Sequence, residues 1–146
     1  MQPYKTLFQY DHWAFSRLYN SYKDLDVADE RIERLLTHIL FALEIWMARL
    51  SGSPIPRYVE FLPMEEIWRR FDQVHQQFQE LIHSELDFFR AIDYKDLKGN
   101  SHTSSLWEVL THLVNHGNYH RGQIALRMRE NEHAPPATDF IVFARM

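Results

Sequence analysis

The chain has 146 residues, 45% hydrophobic and 25% charged, enough for one ordinary domain with a core and too apolar for a disordered chain. Sixteen Lys plus Arg against twenty Asp plus Glu leave a formal charge of −4 with neutral His, the wrong sign for a phosphate-binding protein, so no nucleic-acid partner is expected. There is no Cys, which excludes thiolate nucleophiles, Cys-ligated zinc, iron–sulfur clusters and disulfides together.

In chain order, Met1 to Tyr10 lacks the apolar core of a signal peptide, and Leu7, Tyr10, Ala14, Leu18 and Tyr22 form one helical stripe from about Tyr4 to Asp24. A turn over Leu25 to Asp29 follows, with Asp26 or Asp29 available to cap the next helix. That second helix, about Glu30 to Leu50, is apolar on most of its circumference and so predicts a buried position. Its longest clean apolar run, Ile39 to Leu43, is stopped by Glu44, too short to span a membrane. A cytoplasmic protein without membrane partners is expected.

Ser51-Gly52-Ser53-Pro54 breaks the second helix, and a loop with Pro54, Pro56 and Pro63 leads to a third. Pro63 fits its first position, and Ile67, Phe71, Val74, Phe78, Leu81 and Ile82 carry the pattern to about Phe89. Over Ala91 to Thr103 the helical period lapses, and Lys98-Gly99-Asn100 reads as a turn between two short extended pieces. Ser105 and Glu108 make a capping-box pair that opens a fourth helix to about Asn131, with Pro135-Pro136 as its terminator. Asp139 to Met146 is an apolar tail that should pack back. The sum is an all-α four-helix bundle over residues 1–146 as a single domain.

Nine His are the chain's soft metal ligands and its acid–base groups near neutral pH. His112, His116 and His120 recur every four residues, which on a helix gives a ladder with about 5–6 Å between adjacent Cβ atoms. Two adjacent rungs can share a metal ion. All three cannot, because about 12 Å of helix separates His112 from His120, against metal–nitrogen bonds of about 2.0–2.1 Å. The ladder could instead line a polar seam. It stands beside the apolar positions Leu106, Leu110, Leu113, Gly117 and Ile124, so it faces inward, where an imidazole must be hydrogen-bonded or metallated.

A helical His pair needs a third ligand from elsewhere, and His38 is the candidate, on the stripe Leu35, His38, Phe41, Ala42, Ile45. His12, His75, His83, His102 and His133 fall in polar or loop surroundings and are expected to be solvated. Gly117 and Gly122 suggest a close approach to the fourth helix, by another helix or by a ligand. Gln123 is within reach of His120 as a supporting hydrogen-bond partner, and Arg121 could pair with a carboxylate or an anionic substrate. His112 is left as a further candidate for supporting a ligand or contacting substrate.

The run Val114-Asn115-His116-Gly117-Asn118-Tyr119-His120-Arg121-Gly122-Gln123 is a specific signature, joined by Tyr10-Asp11-His12-Trp13-Ala14, by Leu36-Thr37-His38-Ile39-Leu40 with Glu44-Ile45-Trp46, and by Tyr94 to Gly99. With these the chain resembles the DinB-like (DinB/YfiT) family. The resemblance implies an up-down-down-up four-helix bundle and a divalent metal ion held by His38, His116 and His120. Two positions depart from the family pattern: Asp11, where Asn is frequent, and Asn131 to Ala134, where a Gly-containing turn is usual. Both are expected to lie far from the ligands.

A three-His site with an open position is catalytic in type. Imidazole donors suit Zn, Ni, Cu and Fe alike, and zinc or nickel is the ion expected, with its identity open. Related enzymes of known activity, bacillithiol and mycothiol S-transferases and thiol-dependent maleylpyruvate isomerase, point to a thiol S-transferase or thiol-dependent isomerase. Its partners would be a small-molecule electrophile and a low-molecular-weight thiol. A metal-dependent hydrolase is the enzymatic alternative, with Glu44 and Glu108 as the nearest carboxylates. A metal-stabilised stress-response or binding module is the non-enzymatic one. The aromatic content of 14%, with Trp13, Trp46, Trp68 and Trp107, and the family's habit together suggest a homodimer.

Overall fold

Four long helices carry most of the chain in this computed structural model, which describes residues 2–146. They are α1 (Gln2–Asp24), α2 (Glu30–Ser51), α3 (Met64–Ser84) and α4 (Leu106–Glu130); a hairpin of β1 (Ala91–Lys95) and β2 (Ser101–Ser105) precedes α4, and α5 (Phe140–Ala144) closes the chain. α1 and α2 lie at opposite corners, each packed against α3 and α4.

Side-chain pairs fix the directions. The Tyr4 hydroxyl lies 2.7 Å from Thr111 Oγ1, and the ion pair of Asp11 with Arg121 sits further along both helices, so α1 and α4 are parallel. His12 meets Asp72 while the Tyr19 hydroxyl donates to the Met64 carbonyl, so α1 and α3 are antiparallel. Asp29 with Arg127 at one end, and Trp46 near His112 at the other, set α2 antiparallel to α4. The result is the expected up-down-down-up bundle. The segment 52–63 lets α2 and α3 run the same way, with Glu44 on Arg70.

The core between the helices is mostly aromatic and aliphatic: Phe15 stacks on Phe71 at 3.7 Å, the Phe8 and Phe78 rings meet tilted at 5.1 Å, and Leu36, Leu40, Leu110 and Ile124 are fully buried. Helix ends are set by local chemistry. The Asp29 carboxylate accepts the Ile32 N–H, capping α2, and also receives Arg127 Nε and Asn131 Nδ2, tying the start of α2 to the end of α4. Gly52 at φ 68° closes α2 with its N–H on the Ala48 carbonyl. Ser105 and Glu108 form the anticipated capping box.

Three details of the helix ends differ from the sequence reading, although α4 stops where expected, at Glu130. Pro63 is the cap rather than the first turn of α3, with φ −54° and ψ 141°, and its carbonyl accepts the Ile67 N–H. α3 ends at Ser84 rather than near Phe89, because Glu85 is extended and its carboxylate takes the N–H groups of Leu86 and Asp87 and Arg90 Nε. The apolar period runs on only nominally: Leu86 is 98% exposed, while Phe88 turns in to stack on Tyr4. α4 is closed by Glu132 at φ 62°, with the His133 N–H on the Met128 carbonyl, before Pro135-Pro136 is reached.

The hairpin pairs Ala91 with Ser105 and Lys95 with Ser101 around the Lys98-Gly99-Asn100 turn, and Asp96 receives the Lys98 and Asn100 N–H groups. The C-terminal tail does pack back: Phe140 meets Tyr10 edge-on at 5.2 Å and Phe143 lies 5.5 Å from Trp13. Among the described residues Trp13 meets Phe143, Trp46 meets Tyr94 and Trp68 meets Tyr19. Among the described residues no helix is long and apolar enough to cross a membrane.

Candidate metal centre

The antiparallel packing of α2 on α4 sets His38 opposite the step between two turns of α4, where His116 and His120 project side by side. The three ring centroids lie 4.4–4.9 Å apart. Each residue offers a nitrogen, and those nitrogens all lie within 4.8 Å of one another. His38 Nε2 and His116 Nε2 are 3.0 Å apart. Nitrogens on one tetrahedral ion at bonds of about 2.0–2.1 Å stand roughly 3.4 Å from each other, so this spacing fits a shared ion with small ring adjustments.

The protonation state also fits. Burial, and secondarily the charge that His120 would carry, pushes the His38 pKa down. Burial, then His120, His38 and His112, push that of His116 down to about 4. Both rings are therefore neutral at pH 7 and present lone pairs. His120 is oriented by Gln123, whose Oε1 accepts from Nδ1 at 2.6 Å and leaves Nε2 as the lone-pair nitrogen. Gln123 thus stands within hydrogen-bond distance of His120, as its spacing along the helix predicts.

The other candidates separate. His112 is exposed, with its ring 5.6 Å from that of His116 and 6.1 Å from Trp46, beside the cluster and outside it. Arg121 points away from the cluster, buried against Asp11. Glu44 is held by Arg70 at 2.6 and 2.8 Å, and Glu108 caps α4 through the Ser105 N–H and hydroxyl at 2.7 Å. Neither carboxylate is free to act as a base at the three histidines.

Behind the ligand-bearing turns lies a polar cluster absent from the sequence reading. Asp11, His75 and Arg121 are all buried, with Asp11 Oδ1 on Arg121 Nη1 and Oδ2 accepting from His75 Nε2 at 3.0 Å. His75, expected to be solvated, has no exposure at all, and His12 is half-buried on Asp72 at 2.9 Å. Burial lowers the His75 pKa, so the ring is neutral, with Nε2–H donating. Among the described residues its Nδ1 has no partner, which costs less as a bare lone pair than as the N–H of an imidazolium. Burial alone would raise the Asp11 pKa, but Arg121 and His75 more than offset it and hold it at about 2.

Asp11 is therefore not remote from the ligands: it grips the residue next to His120. Gly117 provides the close approach, since a Cβ there would meet Asp11 Oδ1 at 2.6 Å. Gly122 does not, for nothing lies within 4 Å of the corresponding point. The available signal was spacing: Asp11 falls on the stripe Tyr4, Phe8, Phe15, Leu18, Tyr22, and His75 on Phe71, Phe78, Ile82.

Comparison with known proteins agrees with this architecture. Protein DinB of Bacillus subtilis (strain 168) is 21% identical over 159 aligned positions, covering 96% of this chain and 92% of that protein. The crystal structure of a DinB-like protein from Bacillus cereus ATCC 10987 superposes with a TM-score of 0.70 at 19% identity, over 94% of this chain and 96% of that one. The family model described as DinB family matches residues 2–146, and the chain belongs to that family.

Proposed function

We propose that this protein is a metal-dependent thiol S-transferase or thiol-dependent isomerase acting on small electrophiles, with His38, His116 and His120 as ligands of one divalent ion, zinc or nickel. The observation that carries this reading is the convergence of three imidazoles, with Glu44 held by Arg70 and Glu108 by Ser105. A divalent ion in such a set supplies Lewis acidity and keeps a small thiol as its thiolate near neutral pH.

The chain's own residues do the rest. Neutral His38 and His116 add no charge of their own, and Gln123 fixes the His120 ring. Hydrolysis would call for a base to take a proton from water, and Glu44 and Glu108 are both committed elsewhere. With no Cys in the chain, the sulfur nucleophile comes from the cosubstrate. The homodimer belongs to the same reading, supported by exposed Leu126, Phe140 and Ile141; a monomeric mass by light scattering across micromolar concentrations rejects it.

The test is a panel of small thiols against chlorinated aromatics and epoxides, run on metal-loaded protein, chelated protein and His120→Ala. Thiol-dependent turnover confined to the loaded wild type is expected. Equal rates in all three samples remove the catalytic reading, and ester or amide cleavage without added thiol replaces it with a hydrolase.

A further inference from the structure

A cleft of about 310 Å³ opens where the β1–β2 hairpin leans on α2 and α4, lined by Trp46, Tyr94, Ser104, Glu108, Val109 and His112. That volume is at the small end of ligand pockets, which run from about 300 to 1,000 Å³. Its walls are aromatic: the Trp46 and Tyr94 rings meet at 4.7 Å and 64°, and the His112 ring stands 6.1 Å from Trp46. His112 is also 5.6 Å from His116, so one end of the cleft abuts the three-histidine cluster.

The walls are held in place. The Arg49 guanidinium carbon sits 4.6 Å from the Trp46 ring and 5.1 Å from that of Tyr94, and its Nη2 donates to the Lys95 carbonyl at 3.0 Å. This arginine pins the hairpin to α2 and is already engaged with both rings. The charge among the lining residues is the Glu108 carboxylate, which disfavours an anionic occupant. Among the described residues His112 makes no hydrogen bond to the protein, which leaves its ring polar atoms for a ligand.

The geometry points to this cleft as the seat of a neutral, single-ring aromatic group of the electrophile, walled by Trp46 and Tyr94, with His112 hydrogen-bonding a polar substituent. The occupant's identity as substrate rests on the S-transferase reading; the binding of the ring does not. Aromatic walls favour an aromatic ring over a saturated one of equal size, because edge and face contacts add to simple burial.

The metal-loaded full chain is titrated with benzyl alcohol and with cyclohexylmethanol, following the Trp46 indole N–H by NMR. Benzyl alcohol is expected to shift that signal and to bind at least fivefold tighter than its saturated counterpart. Tyr94→Leu, followed by the same signal, and Trp46→Leu, followed by the His112 ring protons, should each weaken it about five- to tenfold. Tyr94 lies on the hairpin, half-buried against the edge of the core, so its variant remains informative if Trp46→Leu fails to fold.

A second arm compares thiol addition to styrene oxide and to 1,2-epoxyhexane. The thiol gives its proton to solvent, its sulfur forms a C–S bond, the epoxide C–O bond breaks, and the alkoxide takes a proton from solvent. Tyr94→Leu should lower kcat/KM for styrene oxide five- to tenfold relative to 1,2-epoxyhexane, mostly through KM. Equal binding of the two alcohols, or benzyl alcohol affinity unchanged in Tyr94→Leu, overturns the cleft assignment. Selective ring binding without thiol addition to either epoxide upholds the cleft and removes the S-transferase reading. Thiol addition without ring selectivity does the reverse.

Discussion

The Oδ1 atom of Asp11 lies where a side chain at residue 117 would begin, 2.6 Å from a Cβ built on Gly117, with Arg121 Nη1 at 2.9 Å from the same point. Two interior glycines of one helix therefore have opposite meanings. Gly117→Ala gains helix propensity but must displace a buried ion pair, and is expected to destabilise by about 1–3 kcal/mol. Gly122→Ala meets nothing within 4 Å and is expected to stabilise by roughly 0.5–1 kcal/mol. Urea unfolding of both variants checks this; shifts of the same sign would reject it.

The same ion pair makes the fold sensitive to acid. The Asp11 pKa is held at about 2 against an ordinary 3.8, so its contribution is fully present above about pH 4 and is lost as pH falls toward 2. The His75 pKa is also lowered from 6.5, so the unfolded chain takes up a proton first, and stability declines as pH falls below about 6.5. His75→Gln should reduce the slope of stability against pH just below 6.5, and Asp11→Asn the slope below about 4. Asp11→Ala, which strands Arg121 in the core, should cost about 3–5 kcal/mol at neutral pH. Urea midpoints measured from pH 3 to 8 decide it, and slopes unchanged in the Asn and Gln variants would contradict the assignment.

How much of this was legible in the sequence follows from what each signal depends on. The four helices, the hairpin turn and the His38, His116, His120 grouping follow from spacing along single elements, plus one missing ligand. The Asp11–His75–Arg121 cluster depends on three helices meeting at one level, which single-helix spacing does not encode. Polar surroundings along the chain predict a solvated His75, yet position 75 lies on the line of Phe71, Phe78 and Ile82 and is fully buried. Glu85 ended α3 for a similar reason: its carboxylate satisfies two backbone donors that a continued helix would have used otherwise.

The end of α4 offers a stabilising change. Glu132 occupies φ 62° in a closure that ordinarily carries glycine. A Cβ in that region costs about 1–2 kcal/mol, partly offset by the greater freedom of glycine in the unfolded chain. Glu132→Gly should therefore raise stability by about 0.5–1 kcal/mol, visible as a higher Tm with unchanged helicity. A lower Tm would show that the Glu132 side chain contributes more than its strained backbone costs.

The metal site is tested most directly by counting ions. The wild-type chain should carry one divalent ion, and His38→Ala, His116→Ala and His120→Ala should each abolish stoichiometric binding, because two imidazoles remain from a set of three. His112→Ala should keep the ion, since its ring lies beside the cluster and supplies no atom to it. Gln123→Leu should bind about 10–100-fold more weakly, as the His120 ring loses the acceptor that orients it. Chelation should leave helicity nearly intact, because Phe15, Phe71, Phe78 and their neighbours form a buried core that does not involve the three histidines. Elemental analysis and far-UV circular dichroism read these outcomes: unchanged metal in His120→Ala would refute the ligand set, and loss of helicity on chelation would make the ion a structural brace.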